Sequence, residues 1–147
     1  MKRIFAVIIA LLLVCGVFAG CDNVASGNGE AQTATLAEGV TVNICDERMK
    51  LLITEQDISS ATYLGYNEEN KCYVVRLNFK QESIEKLANV TENNVSNNIY
   101  IFVAGEPTAS HLILSAITDG RLSIPFENEA LARRTYEKLT VKSDPME

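Results

Sequence analysis

The chain has 147 residues, 47% of them hydrophobic, with no Trp and three Pro, and it sets 13 basic against 19 acidic residues for a formal charge of −6. That length and apolar share describe one globular body and exclude a wholly disordered chain. The acidic balance, with no basic stripe, excludes nucleic acid as a partner.

Met1-Lys2-Arg3 is a short positive start, Ile4 to Val14 an almost unbroken apolar run, and Ala19-Gly20 puts small residues just ahead of Cys21. Together these predict a secretory signal over residues 1–20. The plainer alternatives are an ordinary signal with an incidental cysteine, or an uncleaved anchor. The apolar run falls short of the ~20 residues of a spanning helix. Ala19-Gly20-Cys21 resembles the lipobox of bacterial lipoproteins, with Phe18 where that box usually has Leu. The resemblance implies a diacylglyceryl group on the Cys21 sulfur, palmitate-type acylation and cleavage before it. It places the chain, lipid-anchored, on the extracytoplasmic face of a bacterial cell membrane.

Residues 21–38 are rich in Gly, Ser, Asn, Thr and Ala, with Val24 and Leu36 as the bulky aliphatics. Such a stretch buries too little apolar surface to offset its backbone entropy, so it reads as a flexible spacer. A single folded domain is then expected over 39–147. Without residues 1–20 the chain keeps eleven basic against nineteen acidic residues, a charge of −8.

Val40, Val42 and Ile44 alternate with Thr41, Asn43 and Cys45, the period of a strand. Leu51 to Thr54 is a short apolar run, and Ala61 to Tyr66 and Cys72 to Phe79 read as a hairpin around Asn67-Glu68-Glu69-Asn70. Tyr73, Val75, Leu77 and Phe79 would share one face. Ile84, Leu87, Ala88 and Thr91 have helical spacing, and Asn93-Asn94 suits the stop. Ile99 to Ala104 predicts a central strand with Gly105-Glu106-Pro107 as the turn after it, and His111 to Ile117 a further strand. Asp119-Gly120 is a tight-turn signal before a strand at Leu122 to Phe126. Asn128 caps a helix to about Leu139, with Leu131, Ala132, Thr135, Tyr136 and Leu139 as its inner stripe. The expected class is α+β: a mainly antiparallel sheet with two helices packed on one face.

Cys45 and Cys72 are the thiols left after signal removal and lipidation. Outside the cytoplasm they form either a disulfide, worth about 3–4 kcal/mol in the chain-entropy model, or two separate packed thiols; both readings stay open. Two thiols without nearby His or Asp do not make a zinc site. Asp46-Glu47 with Glu55 and Asp57 lacks the spacing and Gly of a calcium loop. His111 is the single histidine, and its nearest carboxylates, Glu106 and Asp119, lie in flanking turns. Ser59, Ser60 and Ser110 lack nucleophile-elbow glycines, and Arg133-Arg134 has the i−4 and i+4 acidic partners of an ordinary helix face. The residues indicate no catalytic, metal or cofactor site, and hence no enzyme.

Leu52 to Ala61 resembles a segment in the head of the first large extracytoplasmic domain of SecD, in the SecD/SecDF protein-export subunits. The likeness continues through Tyr73–Phe79, Leu87–Thr91, Ile99–Pro107 and Ile117–Phe126, and ends on Asn128-Glu129-Ala130. It covers about Leu51 to Leu139. Ala109-Ser110-His111 replaces the family's Ser-Ala-Pro, and Asp119-Gly120 its later Gly-Gly. The resemblance implies a SecD-head-like fold and a surface for a protein or extended polypeptide, and it carries over no translocase activity. The expected function is non-catalytic protein or peptide binding at the membrane surface. The alternative is an accessory or structural subunit docked on an envelope complex such as the export machinery.

Overall fold

The computed structural model describes residues 31–141; Cys21, the signal and most of the expected spacer lie outside them. Eight strands and two helices follow in order: β1 Gln32–Thr35, β2 Val42–Cys45, β3 Leu51–Thr54, β4 Ile58–Asn67, β5 Cys72–Phe79, α1 Ile84–Glu92, β6 Asn98–Val103, β7 Glu106–Leu112, β8 Arg121–Phe126 and α2 Glu129–Thr140. Short 3-10 turns, Glu55–Asp57 and Gln81–Ser83, precede β4 and α1.

The strands make two antiparallel four-stranded sheets, β1-β4-β5-β8 and β3-β2-β6-β7. The α+β class holds, with two sheets where the sequence reading had one. In the first sheet Val75 and Leu77 of β5 lie opposite Tyr63 and Ala61 of β4 and opposite Ile124 and Leu122 of β8, all buried. In the second, Ile44 of β2 lies between Ile53 and Ile101. These side chains form one continuous core with Leu87 of α1 and Ala132 and Leu139 of α2. Helix α2 packs on β4, β5 and β8.

Several expectations are corrected. Gln32–Thr35, placed in the expected spacer over 21–38, instead pair with Ser60–Tyr63 as β1. Main-chain pairing at a sheet edge needs no apolar side chains, and Thr33 adds a hydroxyl contact to Thr62 at 2.8 Å. Leu36 then packs on the core, and Ala37 N–H donates to Leu139 O at 2.7 Å.

The turn after β6 is Ala104-Gly105, both at positive φ (51° and 77°), so Glu106-Pro107 open β7 and are not part of the turn. A two-residue hairpin turn matches strand twist in that backbone conformation. Pro107 is tolerated because β7 is an edge strand, where a missing N–H costs no ladder bond.

The strand expected at His111–Ile117 ends at Leu112. Ile113 still bonds the turn before β6, its N–H donating to Asn97 O (3.0 Å) and its carbonyl accepting from Ser96 N–H (2.8 Å). Ser96 is at φ 69°, however, and the ladder goes no further; beyond it the Thr91 hydroxyl accepts the Ile117 N–H at 2.8 Å. Leu131 is 50% exposed, off the inner stripe that Ala132, Thr135 and Leu139 do form. Asn128 caps α2 as expected, its Oδ1 accepting from Leu131 N–H at 2.9 Å.

Asp57 ties the link between the sheets to α1. Its carboxylate accepts from Lys86 Nζ (2.6 Å), Ser83 Oγ (3.1 Å) and Thr54 N–H (3.2 Å), and its carbonyl accepts from Lys80 N–H. Partial burial pushes the Asp57 pKa up, but the Lys86 ammonium and the Thr54 and Ser83 donors outweigh it and hold the carboxyl below its ordinary value. A depressed folded-state pKa stabilises the fold fully above the unfolded value of about 3.9. That contribution disappears as pH falls through the lower folded value. We expect Asp57→Asn to lose about 1–2 kcal/mol at neutral pH, and its stability to fall less steeply than the wild type's below pH 4, as read by urea unfolding at a series of pH values.

Gly120 sits at φ +73°, and an added Cβ would lie 2.9 Å from Ile84 Cγ1. Its carbonyl accepts from Phe79 N–H at 2.9 Å, so the backbone has little room to retreat. Gly120→Ala should cost about 2 kcal/mol by thermal denaturation, because left-handed strain and the clash add.

Candidate functional site

The chemistry-bearing residues singled out in the sequence do not converge. Cys45, in β2, and Cys72, at the head of β5, belong to different sheets and are both free thiols. Burial, then the neighbouring Asp46 charge, pushes the Cys45 thiol pKa up, which keeps it protonated and unreactive. His111 lies opposite Ile99 on the core side of β7, and burial lowers its pKa. The two carboxylates nearest in sequence are engaged elsewhere: Glu106 with Lys138 of α2, and Asp119 Oδ1 with the Arg121 N–H at 3.0 Å.

The acidic residues around β2 and β3 likewise meet donors of the protein itself. Asp46 Oδ1 accepts from Arg48 and Lys50 N–H (2.8 and 2.9 Å), closing the β2–β3 turn. Glu47 accepts from Asn98 N–H and Glu55 from Val42 N–H (3.1 and 3.2 Å). With Asp57 bound as above, these four carboxylates are structural. Ser59 Oγ donates to Asn78 O, and Ser60 Oγ accepts from Asn78 Nδ2. On α2, Arg133 pairs with Glu129 at 2.7 Å and lies 4.8 Å from the centre of the Tyr63 ring. A groove of about 630 Å³ between α1 and the β2–β3 turn is lined mainly by mixed charges and amides, among them Asp46, Lys50, Glu85 and Asn93. Nothing in that lining is arranged as a nucleophile with its base.

What the fold does present is an open strand edge. β7 pairs with β6 on one side only, and its seven residues are all exposed or half-exposed. The ladder groups on its free side are unpaired within the sheet, the arrangement that accepts a further strand. Beside it, on the face turned from the core, Tyr100 and Phe102 of β6 alternate with the buried Ile99, Ile101 and Val103. Leu112 closes that face at 48% exposure, and Leu114 beyond it is 79% exposed. The opposite edge strand, β3, has four residues and carries Leu51 at 51% exposure. Aromatic and aliphatic side chains beside a free ladder supply both side-chain contacts and main-chain bonds for an extended peptide. Expecting a turn at Glu106-Pro107 hid the start of β7; a Pro inside an apolar-alternating stretch is the available sign of an edge strand.

Among the described residues no helix is long and apolar enough to cross a membrane. No family model and no curated protein matches the sequence. Two solved structures of SecDF are similar to it. A structure of the membrane component SecDF that enhances protein export matches with a TM-score of 0.54 at 19% identity, over 78% of this chain and 63% of that one. SecDF in its super-membrane-facing form matches with a TM-score of 0.52 at 18% identity, over 74% of this chain and 18% of that one. The chain thus spans less than two thirds of either SecDF chain and has, over its own folded body, the SecD-head-like fold that the Leu51–Leu139 resemblance implied.

Proposed function

We propose that this chain is an extracytoplasmic, export-associated binding module, held at the membrane by a lipid on Cys21, that engages extended polypeptide without catalysis. The observation that carries the reading is the open seven-residue edge of β7 beside the half-exposed Tyr100 and Phe102. Strand addition there is tolerant of sequence, because the main chain supplies the bonds. The SecDF likeness supports the setting, since SecDF is a membrane component that enhances protein export. The lipobox-like Ala19-Gly20-Cys21 supports the anchor.

Two measurements test the halves separately. A photo-crosslinking residue at Ser110, exposed on β7, should capture unfolded polypeptide in intact cells, whereas the same residue at Glu82, before α1, should not. Equal capture at both positions would sink the edge as the binding site. One dominant envelope protein at Ser110 would instead favour docking as an accessory subunit. Cys21→Ser should move the protein from the membrane fraction to the soluble exported fraction; retention in the membrane would refute the lipid anchor.

A further inference from the structure

The four strands of the first sheet contain no Asp or Glu, although the chain has 19 such residues. Their formally charged residues are Arg76 and Arg121. Arg76 lies in β5, an interior strand, directly between Thr62 of β4 and Ser123 of β8. Its neighbours in sequence, Val75 and Leu77, point into the core, so the guanidinium lies on the opposite, polar face.

The polar groups of that face are largely committed to one another. Asn78 Nδ2 donates to Ser60 Oγ at 3.0 Å and to Thr62 Oγ1 at 2.9 Å, and Thr62 Oγ1 contacts Thr33 Oγ1 at 2.8 Å. Arg76 is left out of this ladder. Its Nε is buried and has no acceptor among the described residues, and none of their carboxylates pairs with it. A buried guanidinium N–H without an acceptor is destabilising as it stands. Nε is the one nitrogen of this half-buried side chain that is a buried orphan, so an oxyanion from outside meets the open Nη edge first and reaches Nε–H once the side chain turns toward it.

We propose that the polar face of the β1-β4-β5-β8 sheet is a second docking surface, on which Arg76 receives a single Asp or Glu carboxylate of a polar polypeptide segment. Charge selects this occupant. Glu68 and Glu69 in the β4–β5 turn and Glu127 after β8 outweigh Lys71 at one end of the sheet, and they repel a polyanionic surface such as an anionic membrane more strongly than a single carboxylate. The ladder hydroxyls and amide suit a polar chain, not hydrocarbon. Because β5 is paired on both sides, contact here runs through side chains and is separate from strand addition at β7.

The test follows the Arg76 Nε–Hε resonance in arginine-labelled full chain held in neutral detergent. Titration with the capped peptide Ser-Gly-Glu-Gly-Ser should shift it saturably, and the Gln counterpart should not. Arg76→Lys should weaken binding at least tenfold, and Arg76→Met should abolish it without lowering the thermal midpoint, since no native bond is lost. A stronger response to inorganic phosphate or to phosphatidylglycerol vesicles would overturn the proposal in favour of phosphate recognition. Equal response to the Gln peptide, no response, or a lowered midpoint in Arg76→Met would also overturn it, the last by giving Arg76 a structural role.

Discussion

Each sheet has one strongly apolar face, and both faces contribute to the same core, so the chain has to pass from one sheet to the other four times. Each passage is held by a specific contact. From β1 to β2, Ala37 bonds Leu139 at the end of α2. From β3 to β4, Asp57 gathers Thr54, Ser83 and Lys86. Helix α1 makes the third passage itself and also secures the fourth, between β7 and β8, where Thr91 receives Ile117 N–H and Ile84 packs against Gly120. A nine-residue helix too short to be stable alone therefore persists through tertiary contacts at both of its ends and along its buried Leu87 face.

The same constraint divides the outer surfaces into two chemistries. Once the apolar faces are spent on the core, the first sheet turns outward a ladder of hydroxyls and amides around Arg76, and the second turns outward Tyr100 and Phe102 beside the free edge of β7. The polar surface sits on interior strands and admits side chains only. The aromatic one borders unpaired backbone and admits a strand. An acidic domain thus presents two chemically distinct outer surfaces, the two on which polypeptide contact is proposed.

The elements with strong local signals were legible from the residues. The alternation of β5, the 3.6-residue spacing of α1 and the Asn128 cap each describe a structure whose determinants lie within a few residues of one another. The misreadings fall where a distant partner decides. β1 exists because β4 offers an edge to Gln32–Thr35, which nothing in those four polar residues announces. β7 begins at Glu106 because Ala104, an unlikely left-handed residue by its type, takes positive φ beside Gly105. Leu131 looks like core by spacing, but the face of α2 that packs on the sheet is the line of Ala132, Thr135 and Leu139, which leaves Leu131 exposed.

By itself the sequence determined the fold class: an α+β body with the SecD-head-like order of strands and helices. Hydrophobic period, caps and turn residues are local quantities, and they are written in the chain. The tertiary structure alone decided that, among the described residues, there are two sheets, that β7 is an open edge, and that Arg76 Nε has no acceptor. Pairing partners and the burial of a single nitrogen depend on residues tens of positions apart, and no local pattern records them.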